Sequence, residues 1–333
     1  MRLLFVTPAL DGPATGGTLY NRQLAEALQR DGVALRHVAE EHARHALSRA
    51  APDMLWIDSL YLAALPELCR AAGPHTRVGL LLHYLPSLLQ RPDPQSLHEL
   101  PASERLALQA ADCVLVPSSS LAELVGRLTA HPELICVPPG IDTTAPRRPR
   151  ERETCVMVCN VTENKGVLPF LSELAQCMQP SDRFRLVIAG RLDAEPAYAR
   201  RCVALVADNP ALEPHIGFLD GIAQAQVFEW LARSALLISA SRMESYGMAL
   251  AEARAHGTPI LARAGGHVAA HVDAQAGGQL VADEAELARA LVALMRDPNE
   301  LDRRIQLADA RRAARSWRTA ALEFRAACSA LTR

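Results

Sequence analysis

The sequence has a single lysine. Lys165 stands alone, and every other strongly basic side chain among the 35 is an arginine. Chemistry that needs a lysine amine, such as a Schiff base to pyridoxal phosphate, therefore uses Lys165 or is excluded. No G-x-x-x-x-G-K-[ST] run is present, which removes a P-loop nucleotide hydrolase. The eight cysteines form no C-x-x-C pair, so neither a zinc ribbon nor a disulfide framework is indicated. Cys155 and Cys159 are four apart, but the run Cys155-Val156-Met157-Val158-Cys159 reads as a core strand. Scattered, unpaired cysteines fit the reducing cytoplasm.

Other absences narrow the field further. No apolar run approaches the ~18–20 residues of a transmembrane helix. The apolar stretch in residues 1–8 is too short for a signal peptide and reads as a first strand, so a cytoplasmic protein is expected. The formal charge is −2, which gives no overall basic field for nucleic acid or an anionic membrane. No D-x-D or comparable acidic metal cluster occurs.

What is there is enough chain for two cores. The 333 residues are 50% hydrophobic and 22% charged, a balance that supports two folded domains. Apolar runs at Leu3–Val6, Ala34–Val38, Met54–Ile57, Val78–His83, Cys113–Val116 and Leu134–Val137 predict strands. Helical patterns lie between them at Leu19–Leu28, Leu60–Ala71, Ser103–Ala110 and Leu121–Leu128. Residues 143–153 hold two prolines and four arginines and read as a solvated linker. The alternation then restarts, with strands at Cys155–Cys159, Arg185–Ala189, His215–Phe218, Leu236–Ser239, Pro259–Ala262 and Gln279–Val281. Helices are predicted at Val167–Cys177, Ala197–Ala207, Ala225–Ala232, Met248–His256, Ala285–Met295 and from Glu300 onward. Strands alternating with helices imply parallel β-α-β units. The expected architecture is α/β, two Rossmann-like domains in tandem, over residues 1–145 and 154–314 with a last helix in 315–333. Ligands of such sheets bind at the carboxyl ends of the strands.

Two loops carry chemistry. The first, residues 8–18, holds Gly16-Gly17 between a strand and a helix, where free N–H groups can receive an anion. It is not G-x-G-x-x-G, and a plain tight turn explains it equally well. The second is Ser239–Ala253, in which Glu244 precedes a helix and Glu252 lies inside it. Eight helical steps span at most ~12 Å, so the two carboxylates suit the two ends of an extended ligand better than a close acid/base pair. A nucleotide sugar has that form, with its diphosphate at the helix N-terminus. The alternative is one solvated and one helix-face glutamate.

The block Glu244-Ser-Tyr-Gly-Met-Ala-Leu-Ala-Glu252 resembles the retaining glycosyltransferases of family 4, which have the GT-B fold of two Rossmann-like domains facing a central cleft. Gly16-Gly17, Val137-Pro-Pro-Gly-Ile-Asp142, Asn164-Lys165-Gly166 and Gly265-Gly266 support it in family order along almost the whole chain. The resemblance implies a metal-independent enzyme without a bound cofactor. It would move a sugar from a nucleotide-sugar donor, such as a UDP-, GDP- or ADP-sugar, to an unidentified acceptor. Residues 1–145 would be the acceptor side and 154–314 the donor side. The catalytic set would be His83, Lys165 and Glu244. Glu252 would bind ribose, Glu244 the donor sugar, and the backbone of Ser245, Tyr246, Gly247 and Met248 the phosphates. Lys165 would neutralise the diphosphate with help from Gly16 and Gly17. Retention would follow from same-face attack, the leaving phosphate taking the acceptor's proton.

One departure concerns the family's arginine before the lysine, replaced here by Asn160, which brings no charge. Arg191 or Arg242 could take its place. His83 has a second reading as a hydrogen-bonded strand-end histidine, and Asp11 and Asp142 as turn residues. Trp317 is expected to be a packing anchor where the last helix returns to the first domain. Arginines 311, 312, 315 and 318 are expected on one solvated helix face, so that a peripheral membrane contact is open but not indicated. Segment 84–102 is expected to be a mobile acceptor loop. Two other functions share the scaffold: a nucleotide-sugar epimerase or hydrolase, and a non-catalytic nucleotide-sugar binding protein.

Overall fold

A computed structural model describes residues 1–12, 15–89, 97–129, 133–141 and 149–332. They fall into two compact units, Met1–Gly140 with Arg315–Arg333, and Ile141–Ala314.

The first unit is built on six parallel strands, β1 (Arg2–Val6), β2 (Ala34–Val38), β3 (Met54–Asp58), β4 (Arg77–Leu81), β5 (Cys113–Val116) and β6 (Leu134–Cys136), in the order β2-β1-β3-β4-β5-β6. All five residues of β3 and four of β1 are buried, the unbroken apolar run of strands covered on both faces. The helices are α1 (Gly16–Arg30), α2 (Glu40–Arg49), α3 (Leu65–Ala72), α4 (Pro86–Leu89), α5 (Ala102–Ala110), α6 (Ser119–Leu128) and the last helix of the chain, α13 (Trp317–Leu331). Phe324 of α13 packs edge-on to Phe5 at 5.8 Å and lies 4.9 Å from Trp56. Trp317 sits edge-on to Tyr20 at 5.6 Å, and the Tyr20 hydroxyl donates to Val137 O at 3.0 Å. Gly140 is there because a Cβ would collide with the backbone of Ser316 and Trp317.

The second unit repeats the plan with β7 (Glu151–Val158), β8 (Arg185–Ala189), β9 (Ile216–Leu219), β10 (Ser234–Ser239), β11 (Ile260–Arg263) and β12 (Gln279–Val281), all parallel, in the order β12-β11-β10-β7-β8-β9. Its helices are α7 (Val167–Cys177), α8 (Pro196–Ala207), α9 (Gln224–Arg233), α10 (Met248–His256), α11 (Glu284–Met295) and α12 (Pro298–Ala310). The core joins Met157, Leu186, Leu236 and Ile238 of the sheet to Phe170, Leu171, Leu287 and Leu291 of α7 and α11. Among the described residues no helix is long and apolar enough to cross a membrane.

Several expectations change. The predicted helix Leu60–Ala71 is a 3-10 turn at Ser59–Tyr61 followed by α3. The Asp58 carboxylate accepts from Leu60 N at 2.7 Å and tightens that turn, and Pro66 suits the first turn of α3. Helix α2 was not expected because it buries only Ala43, Ala46 and Leu47, too little apolar surface for a clear period. The linker reading fails at its end. Arg150 donates to Leu231 O at 2.6 Å, Ser234 O at 2.9 Å, His256 O at 2.7 Å and Thr258 Oγ1 at 2.9 Å, and β7 begins at Glu151. The stretch after Glu300 is two helices, so the four arginines share no face. Arg312 pairs with Asp309, Arg315 with Glu323 at 2.5 Å, and Arg318 lies 3.9 Å from Asp31. In segment 84–102, Leu85, Leu88, Leu97 and Leu100 are buried, and Glu104 accepts from Ser87 N and Oγ at 2.8 and 2.6 Å. The rest of that segment, residues 90–96, and Asp142 lie outside the described residues.

Candidate active site

In each sheet the chain leaves the centre in both directions. β7 runs outward to β8 and β9, then returns to place β10 on its other side. β1 sits likewise between β2 and β3. The crevice at the carboxyl ends of such strand pairs is where open α/β sheets bind ligands.

At the ends of β7 and β10 a short set of bonds fixes one ion pair. A 3-10 turn, Glu163–Lys165, ends at Gly166, whose φ is +65° and whose added Cβ would collide with Ala240 O. A side chain there would be strained and would push apart the loops after the two strands. Asn164 ties the same loops together, its Nδ2 donating to Met243 O at 3.0 Å and its carbonyl accepting from Arg242 N at 2.9 Å. The result places Lys165 Nζ 2.5 Å from Glu244 Oε1. Burial disfavours the Lys165 ammonium, but the attraction and hydrogen bond of Glu244 outweigh it and hold its pKa above the ordinary lysine value.

The Glu244 loop is held from behind by the Gly265-Gly266 pair. Glu244 and Gly266 form a parallel bridge, and His267 N donates to Glu244 O at 2.8 Å. Gly266 has φ +58°, and a Cβ would run into Glu244 O and Met243 Sδ. The Tyr246 ring stacks on His267 at 5.6 Å and meets His271 edge-on at 4.8 Å, while His271 Nε2 lies 2.7 Å from Tyr246 O. Burial pushes His271 down to about 4 and His267 below the usual range, so both rings are neutral near pH 7 and His271 Nε2 is the donor. Ser245 and Tyr246 lead into Gly247, and α10 starts at Met248. The N–H groups at the start of α10 precede its i→i−4 bonds, although Leu250 N already donates to Gly247 O at 3.1 Å, and the helix dipole favours an anion in front of them.

Glu252 lies inside α10 and is 4% exposed. Its Oε1 accepts from Gln224 Nε2 at 2.7 Å, at the start of α9. Burial pushes its carboxyl up to about 8, against the pull of the Gln224 hydrogen bond.

Asn160 and the two arginines have other work in this structure. Asn160 Oδ1 accepts from Arg191 N at 3.1 Å, joining the loops after β7 and β8. The Arg191 guanidinium donates to Asp193 at 2.8 Å, and Arg242 lies 3.9 Å from Glu284, which also faces Arg263 at 3.5 Å.

In the first unit, Thr15 caps α1 with a reciprocal Thr18 bond, so Gly16 and Gly17 are the first two helical residues rather than a plain turn. Gly17 lies against His83, and a Cβ on it would sit 3.0 Å from the ring Cδ2. His83 follows β4 and does not belong to it. Its Nε2 is 2.8 Å from Asn21 Oδ1, and Asn21 Nδ2 donates to Asp58 Oδ2 at 2.5 Å. Asp11 is exposed in the turn after β1.

A match to the domain described as glycosyl transferases group 1 covers residues 152–297. A D-inositol 3-phosphate glycosyltransferase of a Nocardioides species is 28% identical over 189 residues, 49% of this chain and 41% of that protein. D-inositol 3-phosphate glycosyltransferase 1 of Catenulispora acidiphila is 25% identical over 316 residues, 81% of this chain and 74% of its own length. Sucrose-phosphate synthase of Thermosynechococcus elongatus superposes with TM-score 0.77 at 17% identity, covering 99% and 98% of the two chains. HepE of Anabaena, crystallised with UDP-glucose, superposes with TM-score 0.76 at 16% identity, covering 99% and 100%.

Residues 152–297 thus match a glycosyl transferases group 1 domain, and the chain has the GT-B fold of the solved structures it superposes on. The match spans less than half the length of the Nocardioides relative. The second unit brings Lys165 and Glu244 together, and gives Glu252 a separate partner on a second helix. The site residues missed in the sequence are Gln224, His267, His271, Asn21 and Asp58. Only Asp58 had a visible signal, a carboxylate ending an otherwise apolar strand.

Proposed function

We propose that this chain is a retaining, metal-independent glycosyltransferase that uses a nucleotide-sugar donor. The observation that carries the reading is the Lys165–Glu244 pair beside the loop that leads into α10. A donor diphosphate has the charge and size to lie on the N-terminal N–H groups of α10 and draw Lys165 from Glu244. Glu244 is then free to accept hydrogen bonds from the donor sugar. Ribose hydroxyls would reach Glu252, whose carboxyl Gln224 already orients.

Breaking the anomeric bond transfers an electron pair to the diphosphate oxygen. The N–H dipoles of α10 and the single ammonium, once drawn from Glu244, would stabilise that charge. The acceptor hydroxyl forms the new bond on the same face, and its proton goes to the departing phosphate. Arg191 and Arg242 are engaged by Asp193 and Glu284, so the positive charge on the diphosphate comes from Lys165. The similarity to HepE crystallised with UDP-glucose supports a UDP-sugar as the first donor to try. Hydrolysis of UDP-glucose in EDTA, monitored as UDP release with and without candidate acceptors, tests the reading. Turnover abolished by Lys165→Ala supports it, and wild-type protein inert toward all nucleotide sugars refutes it.

A further inference from the structure

We propose that Asn21 and Asp58 are positioning residues that lock His83 in its Nε2–H form and present its Nδ1 lone pair as an acceptor for a substrate hydroxyl. The inference rests on the transfer reading above for the identity of that hydroxyl, not for the relay itself.

The direction of each bond follows from chemistry. Asp58 is 1% exposed and its Oδ1 is taken by Leu60 N at 2.7 Å. A carboxylate only accepts, so the group facing its Oδ2 is the Asn21 amide nitrogen, at 2.5 Å. The Asn21 oxygen must then face His83, and only a protonated Nε2 can meet it, at 2.8 Å. Asn21 is also 1% exposed and cannot turn over without breaking both bonds. The opposite nitrogen, Nδ1, has no hydrogen-bond partner among the described residues. It is not one of the sealed, unpartnered buried atoms, unlike Nδ1 of His271. Gly17 covers one side of the ring and Tyr20 meets it edge-on at 5.2 Å, so the ring has one orientation.

Capping the turn at Leu60 accounts for Asp58 Oδ1 but not for the bond that Oδ2 accepts from Asn21. A buried carboxylate without an arginine or lysine partner costs several kcal/mol of desolvation unless its acceptors are filled. Among the described residues His83, 3.5 Å away, is the one basic side chain paired with Asp58. The cluster stands at the carboxyl ends of β3 and β4, beside the strand pair where the first sheet changes direction. That is where a ligand-binding constellation is worth its desolvation cost.

The other ionisable groups around the relay are phenols. Burial raises Tyr20, Tyr61 and Tyr84, and the Asp58 charge adds to the rise at Tyr61 and Tyr84, so all three stay protonated near neutrality. Burial lowers His83 and the Asp58 charge partly restores it.

The test is NMR titration of 13C-histidine-labelled full-length protein between about pH 4 and 9, with UDP-glucose hydrolysis measured in parallel. Wild-type His83 should be a single neutral Nε2–H tautomer above its titration. Asp58→Asn should move that titration to lower pH by about half a unit or more, with melting still cooperative. Asn21→Ala should allow a tautomer mixture and lower kcat roughly tenfold with KM for UDP-glucose within about twofold. Asn21→Ser, a smaller change, covers the case in which Asp58→Asn does not fold, and should also broaden the tautomer signal. The relay is overturned if folded Asn21 variants leave the His83 tautomer and titration as in wild type. If no nucleotide sugar is hydrolysed while the titration responds as described, the relay stands and the transfer reading fails.

Discussion

Lys165 Nζ donates to Glu244 Oε1 at 2.5 Å, so the only lysine of the chain is held by the carboxylate assigned to the donor sugar. The pairing solves a problem of the ligand-free site. Two half-buried groups of opposite charge neutralise each other, and in the proposed function a diphosphate and a sugar hydroxyl replace them. It also means that each partner, removed alone, leaves the other half-buried and unpaired.

Lys165→Ala should therefore lower kcat/KM by about 2–4 kcal/mol of transition-state stabilisation, mostly in kcat. Glu244→Ala should cut turnover with a smaller loss of nucleotide affinity. Steady-state kinetics with a nucleotide sugar check both. Equal and negligible effects would remove the pair from the mechanism.

Glu252 gives a pH signature that is independent of activity. Its folded carboxyl is pushed from the ordinary 4.5 up to about 8. The folded protein thus keeps a proton that the unfolded chain has released. The stabilisation is complete below about pH 4.5, declines as pH rises through the interval, and is lost above about 8. Glu252→Gln keeps the Gln224 acceptor and removes the titration. Relative to wild type, the variant should gain on the order of 3–5 kcal/mol between acid and alkaline pH, read by urea denaturation at both ends. Parallel pH–stability curves would show that Glu252 titrates normally.

Gly166→Ala should destabilise the second unit by roughly 1–3 kcal/mol, because φ +65° and the Ala240 carbonyl both oppose a Cβ. It should also weaken nucleotide binding by moving Lys165. Denaturation and binding measured on the same preparation distinguish the two effects, and loss of neither contradicts the close approach.

Arg150→Ala should cost about 2–4 kcal/mol through the four acceptors it abandons, and Arg150→Lys should recover only part of that. A midpoint shift in urea below that expected for 1 kcal/mol would place the clamp outside the folding energetics.

The sequence is most legible where one residue type has one job. Strands β2, β5, β8 and β12 and helices α7 and α10 fall on the predicted residues; β5 and β8 are apolar runs with one reading, and glycines 166, 247 and 257 bound the two helices. The Glu244–Glu252 spacing and Lys165 are visible as local pattern. Their partners are not. Gln224 meets Glu252 across 28 positions and Asn21 meets His83 across 62, and neither side chain announces itself among ordinary helix residues. Arg150 looked like part of a basic linker because its acceptors, three backbone carbonyls and the Thr258 hydroxyl, lie 81–108 positions away, which composition does not encode. α2 was missed although Ala43, Ala46 and Leu47 recur at helical spacing, because charged and polar residues fill most of its other positions.

The most direct test of the central claim is calorimetric titration of UDP, GDP, ADP and dTDP into the protein in EDTA, repeated with Glu252→Ala. The account predicts that one nucleotide binds without metal and loses about tenfold or more of its affinity in the variant. If no nucleotide binds, or if binding is the same in Glu252→Ala, the nucleotide-sugar site described here is wrong.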